Sequence, residues 1–528
     1  MQGIAMRTNA FSTLAVLLLL SANSSRAQFY PTGYTDKPAA APAPAKDSSA
    51  VMYYYGDHGP CDACDDDCSR GKCYVDWLQP WTCADLKQEP AEPPPCFCGW
   101  KGFFWCPEED QEECDSCQDN GNGEETKENG NGKCEDKKEN GDCNGVCEEA
   151  EDDAPSTPTM QAIACYFPKV YEKMERNGDT FTGWIQQGFT LNVDSPRDRM
   201  NFGTNYNWRS NDYRLNQIGL TYENALEHDG HSNVGYRIDF MAGNDTPFNV
   251  SNGLFDHVVG TGFVNRVGID LPQFYIEGHL PHCIGSKGVD IRFGKWYTLM
   301  GYEVLAAPGT DFYSHSYAYF YARPFTHTGG LATIHATDTL DVLVGIVRGW
   351  DQFEDNNDRV SYTGAFIWTS CDGRYVWTTA WITGPEQDND NGNYRTLVTS
   401  NISTQFGNCN QWKAVVAGHY AIDSNAVVEA NGVRSNGQWY AVAGYLFYTL
   451  DPRLTPGLRA EWFHDNDGLR TNFVGTFCEV TAGVTWSPWK NLRIRPELRL
   501  DWSPDVRAYN DQTDKYQGTA AVDMIWEF

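Results

Sequence analysis

Arg493, Arg495, Glu497, Arg499 and Asp501 occupy every second position of one stretch near the carboxy terminus. Residues two apart share a face of a β-strand, so an extended chain here presents guanidiniums and carboxylates side by side. Charges of both signs lining a water-filled passage create a transverse field and sort solutes by size and charge. The same pattern recurs in Asp290 with Arg292 and in Arg459 with Glu461; Lys295 and Glu303 lie close to the first of these pairs. All of these residues are candidates for lining or narrowing a pore. The alternative for each is structural: it keeps water in a lumen and stitches neighbouring strands together. The stretch from Trp296 to Asp311, which contains Gly301, Pro308 and Gly309, is the best candidate for a loop that folds inward and narrows the passage. A surface loop is the alternative.

The opposite faces of these runs are apolar. Leu492, Ile494, Leu498, Leu500 and Trp502 back the first charged row, and Val289, Ile291 and Phe293 back Asp290 and Arg292. The last residues alternate too: Ala520, Val522, Met524, Trp526 and Phe528 share one face, and Ile525 is the exception on the other. An aromatic carboxy-terminal strand is the usual closing strand and assembly signal of an outer-membrane barrel, so Trp526 and Phe528 are read as that signal. A soluble sandwich would alternate in the same way. The discriminating detail is that Trp462, Trp486, Trp489, Trp502 and Trp526 cluster near strand ends, where an interfacial belt belongs. The aromatic content of 14 % fits such girdles. No stretch of about twenty apolar residues is present, so a membrane-spanning reading requires a barrel.

Strand-like runs alternate with turns from about residue 183 to 528. Short turns are expected at 282–285, 370–373, 407–410 and 487–490, and long polar loops at 194–212, 243–268, 298–313, 351–358, 385–393, 423–436 and 503–516. Short turns on one side and long loops on the other is the habit of membrane barrels. The expected fold is therefore all-β: an antiparallel transmembrane β-barrel of about 16 strands, with 18 as the alternative, preceded by a Cys-rich acidic segment.

Ahead of the barrel the chain changes character three times. Residues 1–27 read as a signal peptide, with Leu14 to Leu20 as apolar core and Ser25-Arg26-Ala27 at the cleavage point. Residues 28–50 are a Pro/Ala-rich linker. Residues 51–160 form a partly disordered, Cys-rich acidic module, and 161–182 a connector. From Val51 to Asp153 there are 28 Asp and Glu against 8 Lys and Arg, so this zone carries most of the net charge of −31. That charge disfavours nucleic acid as a partner. Export implies an oxidising compartment. Disulfides are thus the first reading of Cys61, Cys64, Cys68, Cys73, Cys83, Cys96, Cys98, Cys106, Cys114, Cys117, Cys134, Cys143, Cys147 and Cys165. Zinc is the rival, but the gaps between the cysteine pairs are irregular. Cys283, Cys371 and Cys409 sit in short turns, where cross-links to one another or to the module are expected. The stretch from Asp115 to Glu124 matches a calcium loop only loosely.

No nucleophile elbow, Walker loop, HExxH or dinucleotide glycine pattern is present, so no catalytic residue and no cofactor are expected. His279 and His282 have no third ligand near them in sequence, and His315 and His327 no partner. Each reads as a polar lining residue, and no metal ligand set is assigned.

A family resemblance rests on several blocks. Gly183-Trp184-Ile185-Gln186-Gln187-Gly188-Phe189-Thr190, Asp194-Ser195-Pro196 and Asn216-Gln217 resemble the first hairpin of the OmpL-like putative β-barrel porin family. Leu271-Pro272-Gln273-Phe274-Tyr275 is similar to its next recognisable strand. The most specific block runs from Phe293-Gly294-Lys295-Trp296-Tyr297 to Gly301-Tyr302-Glu303-Val304, and continues through Pro308, Phe312 to Tyr317 and Pro324 to Gly329. The resemblance covers about 183–528. It implies a Gram-negative-type outer membrane, a monomeric or trimeric pore, and passive or weakly selective diffusion of small hydrophilic solutes. Outer-membrane lipid and the barrel assembly machinery are then the expected partners. For the Cys-rich module, plugging the mouth, contacting the cell wall and decorating the surface are all open. The competing functional reading is a structural or adhesive envelope protein that uses the barrel as an anchor.

Overall fold

In the computed structural model, residues 157–528 are described, except 257–266, 282, 408 and 429–431. The expected signal peptide, linker and module up to residue 156, with Cys61 to Cys147, lie outside the described residues.

The described chain opens with two short helices, α1 (Pro158–Tyr166) and α2 (Pro168–Asn177). Each has proline in its first turn, where the missing N–H costs nothing. Thr157 caps α1 by accepting a hydrogen bond from Met160 N–H at 3.3 Å. Gly178 ends α2 with φ 74°, the left-handed conformation that glycine adopts without strain.

Sixteen strands follow: β1 (Asp179–Asn192), β2 (Asp212–Asn224), β3 (Asn233–Gly243), β4 (Gly268–Leu280), β5 (Val289–Tyr297), β6 (Thr326–Thr337), β7 (Leu340–Val347), β8 (Ser361–Thr369), β9 (Tyr375–Pro385), β10 (Tyr394–Phe406), β11 (Trp412–Val428), β12 (Arg434–Tyr448), β13 (Leu454–Asp465), β14 (Gly475–Trp489), β15 (Leu492–Trp502) and β16 (Tyr516–Glu527). Each pairs antiparallel with its sequence neighbours, and β1 pairs with β16 from Trp184↔Glu527 to Asn192↔Thr519, closing the barrel. Closure leaves no sheet edge unpaired, which a strand protein in hydrocarbon requires. Gly183 and Phe528 complete the seam by exchanging two backbone hydrogen bonds of 2.8 Å, and the Trp526 and Phe528 rings lie 5.2 Å apart.

The two faces separate as the alternation requires. On β15, Arg495, Glu497, Arg499 and Asp501 are buried, while Leu498 is 66 % exposed. Phe293, Val416, Val442 and Leu458 are likewise exposed on the outside. Tryptophans mark two rims. Trp486, Trp489 and Trp526 stand at the end where connections are short, and Trp462 and Trp502 toward the other. The short rim holds 225–232, 281–288, 338–339, 370–374, 407–411, 449–453 and 490–491; the other holds 193–211, 244–267, 298–325, 348–360, 386–393, 429–433, 466–474 and 503–515.

Several boundaries differ from the sequence reading, two of them in the way the strands continue. Residues 423–436 are not a long loop: β11 and β12 continue, with Val427 opposite Ser435 and Val428 opposite Arg434 past a bulge. The polar run there is a solvated strand pair. The turn expected at 487–490 shrinks to 490–491, because β14 continues through Ser487 and Pro488 to Trp489.

Leu498 lies midway along β15 on the outer face. Leu498→Arg is expected to destabilise the barrel by about 2–4 kcal/mol, measured by reversible urea unfolding in phospholipid vesicles. An unchanged midpoint would mean that this face does not meet hydrocarbon.

Candidate functional site

A sixteen-strand barrel is too wide for inward side chains alone to fill. Much of the space is taken by the segment 298–325 between β5 and β6. Tyr317, Ala318, Tyr319, Phe320 and Ala322 in this segment are at most 1 % exposed, as deeply buried as any strand core. A chain threaded through a lumen must satisfy every backbone N–H and C=O on the way. The walls supply the partners.

On the first wall the hub is Gln217 of β2. Its Oε1 accepts from Trp184 Nε1 and from Ala307 N–H, each at 3.0 Å. Its Nε2 donates to Leu305 O at 3.0 Å and to Asp245 Oδ2 at 3.1 Å. All four hydrogen-bonding valences of the amide are filled. Beside it, Asn216 Oδ1 accepts from the Tyr313 hydroxyl at 2.9 Å. Gly188 of β1 is required here, because a Cβ on it would lie 2.5 Å from the Tyr313 ring.

The second wall is a ladder of charge on β13–β16. Arg459 pairs with Glu479 at 2.7 Å and with Glu303 of the segment at 3.0 Å, and donates to Ser314 O at 2.6 Å. Arg499 pairs with Asp501 at 2.7 Å and donates to His315 O at 2.5 Å. Arg495 pairs with Asp523 at 2.5 Å and donates to Thr310 O at 2.6 Å. Each guanidinium thus joins a wall carboxylate to a segment carbonyl. Glu497 and Glu461 do the converse. Glu497 accepts from the N–H groups of Tyr313 and Ser314 at 3.0 and 3.1 Å. Glu461 accepts from those of Tyr317 and Ala318 at 2.5 and 2.7 Å. Asp501 also accepts from the Tyr317 hydroxyl at 2.9 Å. On the third side, Trp439 of β12 donates to Ala322 O at 3.0 Å, and Arg323 holds the carbonyls of Met300 and Glu303. Burial, with Arg459, Arg323, Arg495 and Arg499 close by, holds His315 well below the usual imidazole range, so it is neutral.

Beside the segment lies a cavity of about 240 Å³. Tyr302, Glu303, Asp311 and His315 line it from the segment, and Ser403, Gln405, Lys413 and Tyr445 from β10–β12. Lys413 Nζ lies 3.4 Å from Asp311 Oδ1 across it.

The sequence-derived residues fall into four groups. Glu303, Arg459, Glu461, Arg495, Glu497, Arg499 and Asp501 converge on the inward segment. Arg292 pairs with Glu277 at 2.7 Å, and Arg493 with Glu527 at 2.5 Å, away from it. Lys295 forms a fully buried pair with Asp270 at 3.3 Å. Asp290 lies at the short-turn end of β5, beside histidines. The sequence reading did not single out Glu479, Asp523, Trp439 or the role of Gln217. Glu479 and Asp523 were within reach: they face Asp501 and Arg495 across neighbouring strands, so pairing β14–β16 through their turns would have found them. The inward segment also runs on to residue 325, beyond the stretch ending at Asp311.

A family model described as "Putative beta-barrel porin-2, OmpL-like" matches residues 179–528. No curated protein matches the chain. Among solved structures, the outer membrane channel DcaP of Acinetobacter baumannii superposes with a TM-score of 0.45 at 10 % identity, over 66 % of this chain and 97 % of that one. OprB of Pseudomonas putida gives 0.46 at 12 % identity, over 68 % and 97 %. An anion-selective porin from Comamonas acidovorans gives 0.44 at 9 %, over 66 % and 99 %.

Arg459→Ala is expected to cost about 3–5 kcal/mol, because it removes the close partner that Glu479 and Glu303 share in a buried site. Glu461→Ala is expected to cost about 1–3 kcal/mol for each amide it leaves unpaired. Arg493→Ala, on a half-exposed pair, should cost under about 1 kcal/mol. Equal effects of all three in vesicle unfolding would contradict the pinning of the segment.

Proposed function

The chain belongs to the putative beta-barrel porin-2, OmpL-like family, and on that premise we propose that it passes small hydrophilic solutes across the outer membrane by passive or weakly selective diffusion. The barrel is a porin-like outer-membrane channel barrel. The observation that carries the finer reading is the segment 298–325, held across the lumen by charges on β13–β16 and by Gln217. A passage past such a segment is narrow and of fixed width. Its walls carry Glu303, Asp311 and Lys413, charges of both signs that favour small polar solutes without strong ion selectivity. The short-turn rim, with α1 and α2, is assigned to the periplasm by the habit of such barrels.

The accessory role of residues 51–160 is part of the same proposal: an exported, disulfide-linked module attached at the periplasmic side. Cys165 in α1 and Cys409 in the short turn 407–411 are both disulfide-bonded, which supports cross-linking at this rim. Cys283 and Cys371, in neighbouring short turns, are exposed free thiols, so the cross-links expected there do not involve them. No cofactor and no catalytic step enter this reading.

One observation favours the rival reading, a barrel serving as an anchor for a structural or adhesive envelope protein. The inward segment builds an aromatic core with the walls and the 193–211 loop, joining Tyr206, Tyr317, Phe320, Trp439 and Phe463, and so narrows the passage severely. Planar-bilayer recording separates the two. The channel reading predicts a small, stable conductance that rises several-fold in Glu461→Ala, with weak preference between potassium and chloride. No conductance in the wild type and none in the variant would establish the anchor.

A further inference from the structure

Far from the inward segment, at the short-turn rim, four histidine and aspartate side chains meet on the lumen face. Asp290 is the centre. Its Oδ1 lies 2.7 Å from His279 Nδ1, and its Oδ2 lies 3.1 Å from both His228 Nε2 and His335 Nε2. The strands place them there by register. His279 of β4 is directly opposite Asp290 of β5. Asp290 faces Thr333 of β6, and His335 is two residues on, on the same face. His228 comes down from the 225–232 turn.

We propose that this cluster is a divalent transition-metal site, with His228, His279, His335 and Asp290 as ligands. The spacing suits it. The ligating atoms of His228, His279 and Asp290 all lie within 4.8 Å of one another. A tetrahedral ion with bonds of 2.0–2.2 Å keeps its ligands roughly 3.3–3.5 Å apart. His335 stands outside that group of three and joins it through Asp290 Oδ2, 3.1 Å from its Nε2. Three imidazoles and one carboxylate form a borderline donor set that suits zinc, nickel or copper and gives little hold on calcium or magnesium.

The outer shell is also built. His335 Nδ1 lies 2.8 Å from Asp341 Oδ1, its cross-strand partner on β7. A carboxylate on one ring nitrogen fixes the tautomer and leaves the other nitrogen's lone pair for the ion. In His335 that second nitrogen points at Asp290 Oδ2. A lone pair aimed at a carboxylate oxygen needs a positive charge between them, and a metal ion supplies it. The competing occupant is a proton on each ring, which would make the cluster a set of ordinary ion pairs.

The site is reachable. The side chain of His228 is 35 % exposed, while that of His279 is 1 % exposed. Three ligands are therefore set in the wall, and the fourth sits on a turn where an ion can enter. A bound ion would clamp the 225–232 turn to the ends of β4, β5 and β6.

The test is a titration of the purified full-length protein in detergent, stripped with EDTA, with Co²⁺ as the probe. Visible d–d absorption of nitrogen/oxygen-bound Co²⁺ should develop as one equivalent is added, and it should be absent in His228→Ala. The near-ultraviolet thiolate band reports any binding at cysteines separately. Asp341→Asn keeps every ligand and should weaken Co²⁺ binding 10–100-fold. Heat-modifiable gel migration verifies that each variant is a folded barrel. If wild type and His228→Ala take up the same Co²⁺ with the same d–d spectrum, or if Asp341→Asn binds as tightly as wild type, the metal site is overturned and the cluster is a protonated ion-pair network.

Discussion

A polypeptide inside a barrel lumen is bounded by a demand that water meets elsewhere: each of its amides and carbonyls needs a partner. In this protein the partners are charged side chains on the strands, and everything distinctive about the lumen follows. The guanidiniums of Arg459, Arg495 and Arg499 take the carbonyls of Ser314, Thr310 and His315. The carboxylates of Glu497 and Glu461 each take two successive amides. Removing either set would leave buried polar groups, of the segment and of the wall alike, without compensation.

The arrangement resolves an imbalance. Glu303 of the segment and Glu461, Glu479, Glu497, Asp501 and Asp523 of the wall meet three arginines, Arg459, Arg495 and Arg499, which pair directly with four of them. The two carboxylates outside those arginine pairs, Glu461 and Glu497, are the ones that cradle backbone N–H groups. Charge on the wall and polarity of the backbone thus complete each other, and the segment is held from three sides, since Gln217 grips Leu305 and Ala307 from β2 and Trp439 takes Ala322 O from β12. A constriction held at so many points has one width.

Much of this was legible in the sequence, for a physical reason. Period-two alternation between hydrocarbon and lumen is enforced on every strand, so Leu498 and Arg499 could be assigned to opposite faces from spacing alone. The tryptophans at the strand ends and the alternation of turn lengths gave the membrane and the strand number. What spacing could not show is which inward charges meet. Arg493 and Arg499 occupy equivalent positions in the pattern, yet Arg493 pairs with Glu527 near the rim and Arg499 holds the inward segment. That difference depends on where a connection from the far side of the barrel crosses. The histidines were opaque for the same reason: His228, His279 and His335 are distant in sequence, and only the register of β4–β7 gathers them around Asp290.

The central claim is that wall charges hold the segment 298–325 rigidly across the lumen. Amide hydrogen exchange of the wild-type protein in lipid bilayers tests it most directly. The amides of Tyr313, Ser314, Tyr317 and Ala318 are expected to exchange as slowly as those of β15. Exchange of these four as fast as in the outer loop 503–515 would contradict it.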